Sequence, residues 1–131
     1  MTNQEWFNAA WDWFVVQGHG KSHDNGFCLY ESPTGGRCAI GAGVPSQELR
    51  LAMNPLGSVE PILDDLKEPV NQSGILSSLK PLVEGADPAF LTELQEAHDN
   101  LDTGQFQEKI GTRLRVVAQD WGLQVPEEAA T

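Results

Sequence analysis

Apolar residues at helical spacing, set between start and stop signals, are the feature that most restricts the fold of this chain. Asp87 followed by Pro88 is typical of a helix start, because aspartate caps the first turn and proline fits its first position. This pattern predicts a helix to about Leu101, and Thr103 starts a last long helix that Gly122 ends. The residues expected on the buried faces of the two helices are Phe90, Leu91, Leu94, Ala97, His98, Leu101, Phe106, Ile110, Leu114, Val117, Ala118 and Trp121.

The N-terminus carries a further helical pattern. Thr2 and Glu5 form a T-x-x-E capping box, which predicts a helix to about Gln17 with Gly18 as its stop. Trp11 lies off the apolar face of this helix, so we expect it to be exposed and available to a partner. The residues of the apolar face are Trp6, Phe7, Ala10, Trp13 and Phe14.

Proline, glycine and serine divide the middle of the chain into short segments. The elements predicted there are a helix from Gln47 to Met53 capped by Ser46, a helix from Ser58 to Pro69, and a short helix or turn between Val70 and Gly85.

The stretch before these segments predicts a β-hairpin. Two short apolar-rich runs, 27–31 and 37–41, flank the sequence SPTGG. Its proline presets a turn dihedral, and Gly35 or Gly36 can adopt a positive φ without steric cost. A loop of this length would place Glu31 opposite Arg37.

The same register decides the expected state of the two cysteines. It sets Cys28 opposite Ile40, so Cys28 and Cys38 become diagonal neighbours at about 7 Å or more. That separation is too long for comfortable disulfide geometry. We therefore expect two free, mostly buried thiols.

These patterns together predict an α+β fold: a mainly helical single domain, residues 1–131, with about five helices, one β-hairpin packed on the core and a loose acidic tail at 125–131. A chain of 131 residues is of ordinary single-domain size. No apolar run of about 18 residues and no signal-peptide pattern occurs. We therefore expect a cytoplasmic protein without a membrane span.

The chain is strongly acidic, with 19 acidic and 8 basic residues and a net charge of -11. Seven acids and no lysine or arginine lie between Lys80 and Lys109. Direct binding to nucleic acid is not expected, because such binding depends on cations that neutralise phosphates. The acidic surface would either keep the protein soluble or meet a partner with a basic surface. The residues expected to bind that partner are Glu93, Glu96, Asp99, Asp102 and Trp11.

Two motifs resemble a known group of proteins. The stretches CLYESPTGGRCAIG and FLTELQEAHDN are similar to a family of small uncharacterised proteins of tailed phages and bacterial genomes. The resemblance covers 27–123 and implies a phage or prophage setting without supplying a mechanism. The chain departs from the family pattern at Gly43, where a larger apolar residue is usual, and this suggests a local repacking. The motif positions are Cys28, Tyr30, Gly35, Cys38, Ala39, Ile40, Gly41, Leu94, Gln95, His98 and Asp99.

Two chemical alternatives remain open beside a binding role. In a cryptic thiol enzyme, Cys38 would be the nucleophile and His98 the base, with Asp102 orienting the ring and Asp99 pointing elsewhere. No activating motif supports this, and we expect His98 to be a core histidine bonded to a backbone carbonyl or to Tyr30. In a zinc protein the ligands would be His19, His23, Cys28 and Cys38, whose spacing fits no common zinc site.

The function expected from the sequence is that of a non-enzymatic acidic binding module without a cofactor. It would inhibit or modulate a host protein, such as a nucleic-acid-binding or defence protein, through an acidic helix face that imitates a row of phosphates. A structural accessory role in a virion or complex is the remaining alternative.

Overall fold

The computed structural model of the protein describes residues 1–21, 23–24, 27–32, 35–56, 62–63, 74–101 and 103–126. Most of these residues are helical. The helices whose ends lie among them are α1 Asn3–Trp11, α2 Ala39–Gly43, α3 Gln47–Met53, α4 Ile75–Val83, α5 Pro88–Asp99 and α6 Phe106–Trp121. In this part of the chain, strand pairing is limited to two residues a side, His23–Asp24 (β1) antiparallel to Phe27–Cys28 (β2).

Helix α1 begins and ends where the sequence predicts. The Thr2 hydroxyl accepts from the Glu5 N–H at 3.2 Å, and the Glu5 carboxylate accepts from the Thr2 N–H at 2.9 Å. The bond from the Thr2 backbone N–H, and after it one from the Thr2 side chain, lower the pKa of the Glu5 carboxylate. After Trp11 the helix widens into a π-helical turn, Asp12–Val16, and Gly18 ends it with a φ of +76°. The predicted capping box and stop are confirmed.

Local capping also sets the other helix starts. Ser46 accepts from the N–H of Leu49 and starts α3, and Asp87 accepts from the N–H of Ala89 and starts α5. Gly122 ends α6 in the left-handed conformation. Helix α4 is longer than the predicted short helix or turn, since it continues through Pro81.

The predicted hairpin, and with it the α+β class, is wrong. Residues 39–41 of its second strand belong to α2 (Ala39–Gly43) instead, and the described part of the chain is mainly helical. Cys38 caps this helix, because its Sγ accepts from the N–H of Gly41 at 3.3 Å. A run of four or five apolar and small residues has no periodicity that separates strand from helix, so packing decides. The short β1–β2 pair does not replace the predicted hairpin: β2 lies in the predicted first strand, 27–31, but it pairs with β1.

The core forms around α1, which contacts α2, α5 and α6. Helix α5 also packs along α6, and α3 contacts α4. Because neighbours cover α1 on more than one side, it buries more than its predicted apolar face. Trp11, expected to be exposed, is only 1% exposed and stacks on Phe7 with 6.1 Å between ring centroids. The prediction that Trp11 serves as a surface anchor is therefore wrong.

The end of the described chain packs against its beginning. Gln4 and Gln124 exchange two hydrogen bonds, and Val125 is buried. The predicted acidic tail is thus packed at its first residue, and residues 127–131 lie outside the described ranges. The predicted helix from Ser58 to Pro69 also lies mostly outside them, apart from two helical, buried residues, Ile62 and Leu63. Within the described ranges, no helix combines the length and the apolar character needed to cross a membrane.

Candidate functional site

The two sequence motifs meet where α2 contacts α5. The N–H of Ile40, in the first turn of α2, donates to Gln95 Oε1 at 3.0 Å. Gln95 is buried, and its Nε2 donates to Asp99 Oδ1 at 2.8 Å. His98 Nδ1 lies 2.9 Å from the same oxygen, and a carboxylate only accepts, so Nδ1 donates. A hydrogen-bonded chain therefore joins the start of α2 to the ring of His98.

Tyr30 and Cys38 lie beside this chain, and both are buried. Burial raises the pKa of Tyr30, and negative charge at Cys38 and Asp99 would raise it further. The Tyr30 hydroxyl therefore stays neutral. Its backbone lies against Gly41, where an added Cβ would be 2.3 Å from the Tyr30 carbonyl oxygen. Gly41 is thus required for the close approach of α2 to this segment.

His98 lies in an aromatic environment. Its ring is 0% exposed and packs between Phe14 and Phe106, at 5.5 and 5.3 Å between ring centroids. The expectation that it is buried and hydrogen-bonded is confirmed. The bond found is to the carboxylate of Asp99, which was expected to point elsewhere, and Asp102 lies outside the described residues.

This geometry is poorly suited to the thiol-enzyme alternative. Cys38 forms no disulfide and is 2% exposed, and its sulfur accepts from a backbone N–H. A nucleophile and its base must reach a substrate, and both Cys38 and His98 are enclosed. The arrangement serves to hold α2, α5 and the Tyr30 segment together. The prediction that Cys38 is buried and outside a disulfide is confirmed, while the Cys28 side chain lies outside the described part.

Replacing His98 with alanine is expected to lower the free energy of unfolding by about 1–3 kcal/mol, through lost packing and the loss of its hydrogen bond to Asp99. Urea unfolding followed by circular dichroism measures this. Asn100→Ala, at an exposed position two residues later, is the control and should change stability by no more than about 0.5 kcal/mol. A His98→Ala protein of unchanged stability would contradict a structural role.

The predicted acidic row on α5 is not continuous. Glu96 is exposed, whereas Glu93 is half-buried and accepts a hydrogen bond from the indole N–H of Trp121. Asp99 belongs to the hydrogen-bonded chain described above, and Asp102 lies outside the described residues. Of the three carboxylates that the structure describes, Glu96 is therefore the one placed to meet a partner without breaking an internal contact.

Glu93 and Glu96 line a surface groove between α5 and α6, here called the α5–α6 groove. None of the residues predicted to bind a partner lies on the α6 side of this groove. Val116 is 49% exposed there, and its position off the buried stripe of α6 was the available signal. The residues that line the groove are Glu93, Glu96, Ala97, Asn100, Arg113, Val116 and Val117.

Several basic side chains are used inside the fold. Arg50 Nε lies 2.6 Å from Glu31 Oε1 in a buried ion pair. The predicted hairpin had instead placed Glu31 opposite Arg37. Lys21 Nζ donates to two backbone carbonyls near the end of α5, at 2.7 and 2.9 Å. The guanidinium groups of Arg37 and Arg115 lie over tryptophan rings. The exposed cations of the described chain are Lys80, Lys109 and Arg113.

The zinc alternative receives no support from the described residues, where no three His, Cys, Asp or Glu side chains are grouped to hold a metal. His19 stacks on Trp13 with 3.6 Å between ring centroids, and Cys38 caps α2. The side chains of His23 and Cys28 lie outside the description.

Comparisons with protein-family models, with curated proteins and with solved structures found no match. The resemblance to small phage and bacterial proteins stays a prediction that depends on the motif residues alone.

Proposed function

We propose that the protein is a non-enzymatic binding module of phage or prophage type that modulates a host protein. The partner presents a basic surface, as a nucleic-acid-binding or defence protein does, and the acidic surface of this chain meets it. The α5–α6 groove is the centre of the contact.

The observation that carries this proposal is the unequal use of charge inside the fold. Four of the seven described basic side chains are committed to internal contacts, namely Lys21, Arg37, Arg50 and Arg115. Among the described acids, Glu31 is the one buried in an ion pair with a lysine or arginine. The exposed surface is therefore dominated by acids. Such a surface repels nucleic acid and accelerates encounter with a basic protein.

The α5–α6 groove offers the features that binding sites combine. The exposed side chain of Val116 supplies apolar contact, while Glu93 and Glu96 supply negative charge at its side. The hydrogen bond from Trp121 fixes the Glu93 carboxylate before a partner arrives, which reduces the ordering cost of binding. A segment with a lysine or arginine next to an apolar side chain fits this arrangement, and Arg113 across the groove would favour one orientation.

Reversing one charge tests the proposal. Glu96→Lys is expected to reduce capture of basic host proteins from a bacterial lysate by about tenfold or more at low salt, because it places a like charge against the partner. Glu93 and Asp99 are less suitable targets, since their replacement also breaks internal hydrogen bonds. Quantitative mass spectrometry of the captured proteins gives the measurement, and calorimetry with the purified partner follows.

Glu84→Lys is the matched control, since it makes the same change in net charge at an exposed position that does not line the groove. It should retain the partner that Glu96→Lys loses. Wild-type binding should also weaken as the Debye length falls from about 10 Å at 0.1 M salt to about 3 Å at 1 M. Equal capture by both variants and wild type would mean that the acidic surface serves solubility alone.

A further inference from the structure

Trp13 lies in the π-helical turn after α1, and two side chains from separate segments contact its indole ring. The imidazole of His19 stacks on the indole, with 3.6 Å between ring centroids and 16° between the ring planes. The guanidinium carbon of Arg37 lies 4.2 Å from the indole centroid. These three residues are called the Trp13 cluster.

Two N–H donors of the Trp13 cluster are buried without an acceptor. They are the indole Nε1 of Trp13 and the Nε of Arg37, and over the described part of the chain no other buried side-chain nitrogen or oxygen lacks a hydrogen bond. Buried polar groups in folded proteins nearly always have a partner. Two unpaired donors in one contact therefore indicate that an acceptor belongs beside them.

Among the residues that the structure describes, no carboxylate is paired with Arg37, although the chain has 19 acidic and 8 basic residues. Its guanidinium makes no hydrogen bond with any residue of the described ranges. Burial lowers the pKa of Arg37, and the nearby charge of Arg50 lowers it further. Glu31 is close enough to oppose this effect, but its carboxylate is already paired with Arg50 at 2.6 Å. A positive charge is thus left without direct neutralisation.

The backbone holds the Trp13 cluster in place before any ligand binds. On the side of Arg37, the carbonyl of Gly36 accepts from the N–H of Ser32 at 2.8 Å, and the N–H of Cys38 donates to Leu29 at 3.2 Å. On the other side, the N–H of His19 donates to the carbonyl of Trp13 at 3.2 Å. A ligand would therefore bind to side chains whose backbone is already ordered.

We propose that the Trp13 cluster is a binding site for one oxyanion group, a phosphate or a carboxylate, of a small ligand. The indole N–H of Trp13 and the guanidinium of Arg37 donate to the oxyanion. The coplanar N–H donors of a guanidinium fit the spacing of two oxygens of a phosphate or a carboxylate. A polyanion such as nucleic acid is excluded, because the net charge of -11 repels it. This site does not depend on the α5–α6 groove or on the function proposed for it.

Nuclear magnetic resonance of the ¹⁵N-labelled protein tests the site directly. Sodium phosphate and sodium acetate are titrated separately at pH 7, with ionic strength kept constant by sodium chloride. The indole N–H of Trp13, assigned with Trp13→Phe, and the Nε–H of Arg37 are expected to shift and saturate with a Kd of about 1 mM or lower. Saturation by phosphate alone identifies a phosphate site, and saturation by acetate identifies a carboxylate site.

Arg37→Gln should weaken this binding at least tenfold. Arg37→Lys should also weaken it, because lysine keeps the charge but lacks the coplanar N–H donors of a guanidinium. Arg113→Gln, which removes an exposed arginine of the α5–α6 groove, should bind like wild type. Thermal unfolding shows that each variant is folded. Shifts that fail to saturate with either anion in the wild-type protein, or equal binding by Arg37→Gln, would overturn the proposal.

Discussion

Replacing Arg50 with leucine is expected to lower the free energy of unfolding by about 3–5 kcal/mol, the usual cost of breaking a buried ion pair by removing one partner. Arg50 and Glu31 are each only 4% exposed, and 2.6 Å separates Arg50 Nε from Glu31 Oε1. The guanidinium also donates to the carbonyl of Val44 at 2.6 Å. The variant leaves a buried carboxylate and a carbonyl without their donor.

Urea unfolding at pH 7 measures this loss of stability, and two further variants serve as comparisons. The double variant Glu31→Leu/Arg50→Leu should be more stable than Arg50→Leu alone, because it leaves no buried charge unpaired. Arg113→Leu, at an exposed arginine, should change stability by about 0.5 kcal/mol or less. If Arg50→Leu costs no more than Arg113→Leu, the pair does not hold α3 to the Tyr30 segment.

Replacing Gly41 with alanine is expected to cost about 3 kcal/mol, at the upper end of the usual range for overpacking. The added Cβ would lie 2.3 Å from the carbonyl oxygen of Tyr30, and that oxygen belongs to the backbone, so no side-chain rotation relieves the contact. Gly43→Ala meets a comparable obstacle, since its Cβ would lie 2.3 Å from Cε3 of Trp6. Trp6 is fully buried, and its indole N–H donates to the carbonyl of Leu82 at 3.1 Å.

Gly104→Ala is the matched control, because no atom outside its immediate chain neighbours lies within 4 Å of its added Cβ and its φ is not positive. Thermal and urea unfolding should show unchanged or slightly raised stability for this variant, since alanine reduces the entropy of the unfolded chain. Wild-type stability in Gly41→Ala would mean that α2 lies farther from Tyr30 than the structure places it.

Gly43 also connects the sequence to the packing. The predicted resemblance placed a larger apolar residue at this position and a local repacking around glycine, and that comparison stays a prediction. The side chain of Trp6 occupies the space that a larger residue at 43 would need. The sequence alone does not show that the side chain of Trp6 fills this space.

The candidate site was only partly predictable for a similar reason. His98 was predicted to be buried, because it lies on the apolar stripe of α5. Its partner depends on side-chain rotation at Asp99, which helical spacing does not determine. Gln95 is the residue that sequence reasoning used only as a motif position, yet its amide joins α2 to α5. A buried amide at a helical interface is visible only once both helices are placed.

The sequence by itself determined where most of the described helices begin and end. Capping at Thr2, Ser46 and Asp87 and the stop at Gly122 act within about one helical turn, so the signal and its effect lie in the same few residues. The same locality explains why the apolar faces of α5 and α6 were recognised.

Only the tertiary structure decided the helical state of residues 39–43, the burial of Trp11 and the pairing of Glu31 with Arg50. Each depends on a partner distant in the chain. Gln95 accepts from the start of α2, Arg115 lies over Trp11, and Arg50 in α3 lies 19 residues along the chain from Glu31. A short apolar run or a single charged side chain can pair with several partners, and the local interaction energies of these pairings are similar. Packing selects among them, because burial penalises every polar group and every cavity left without a complement.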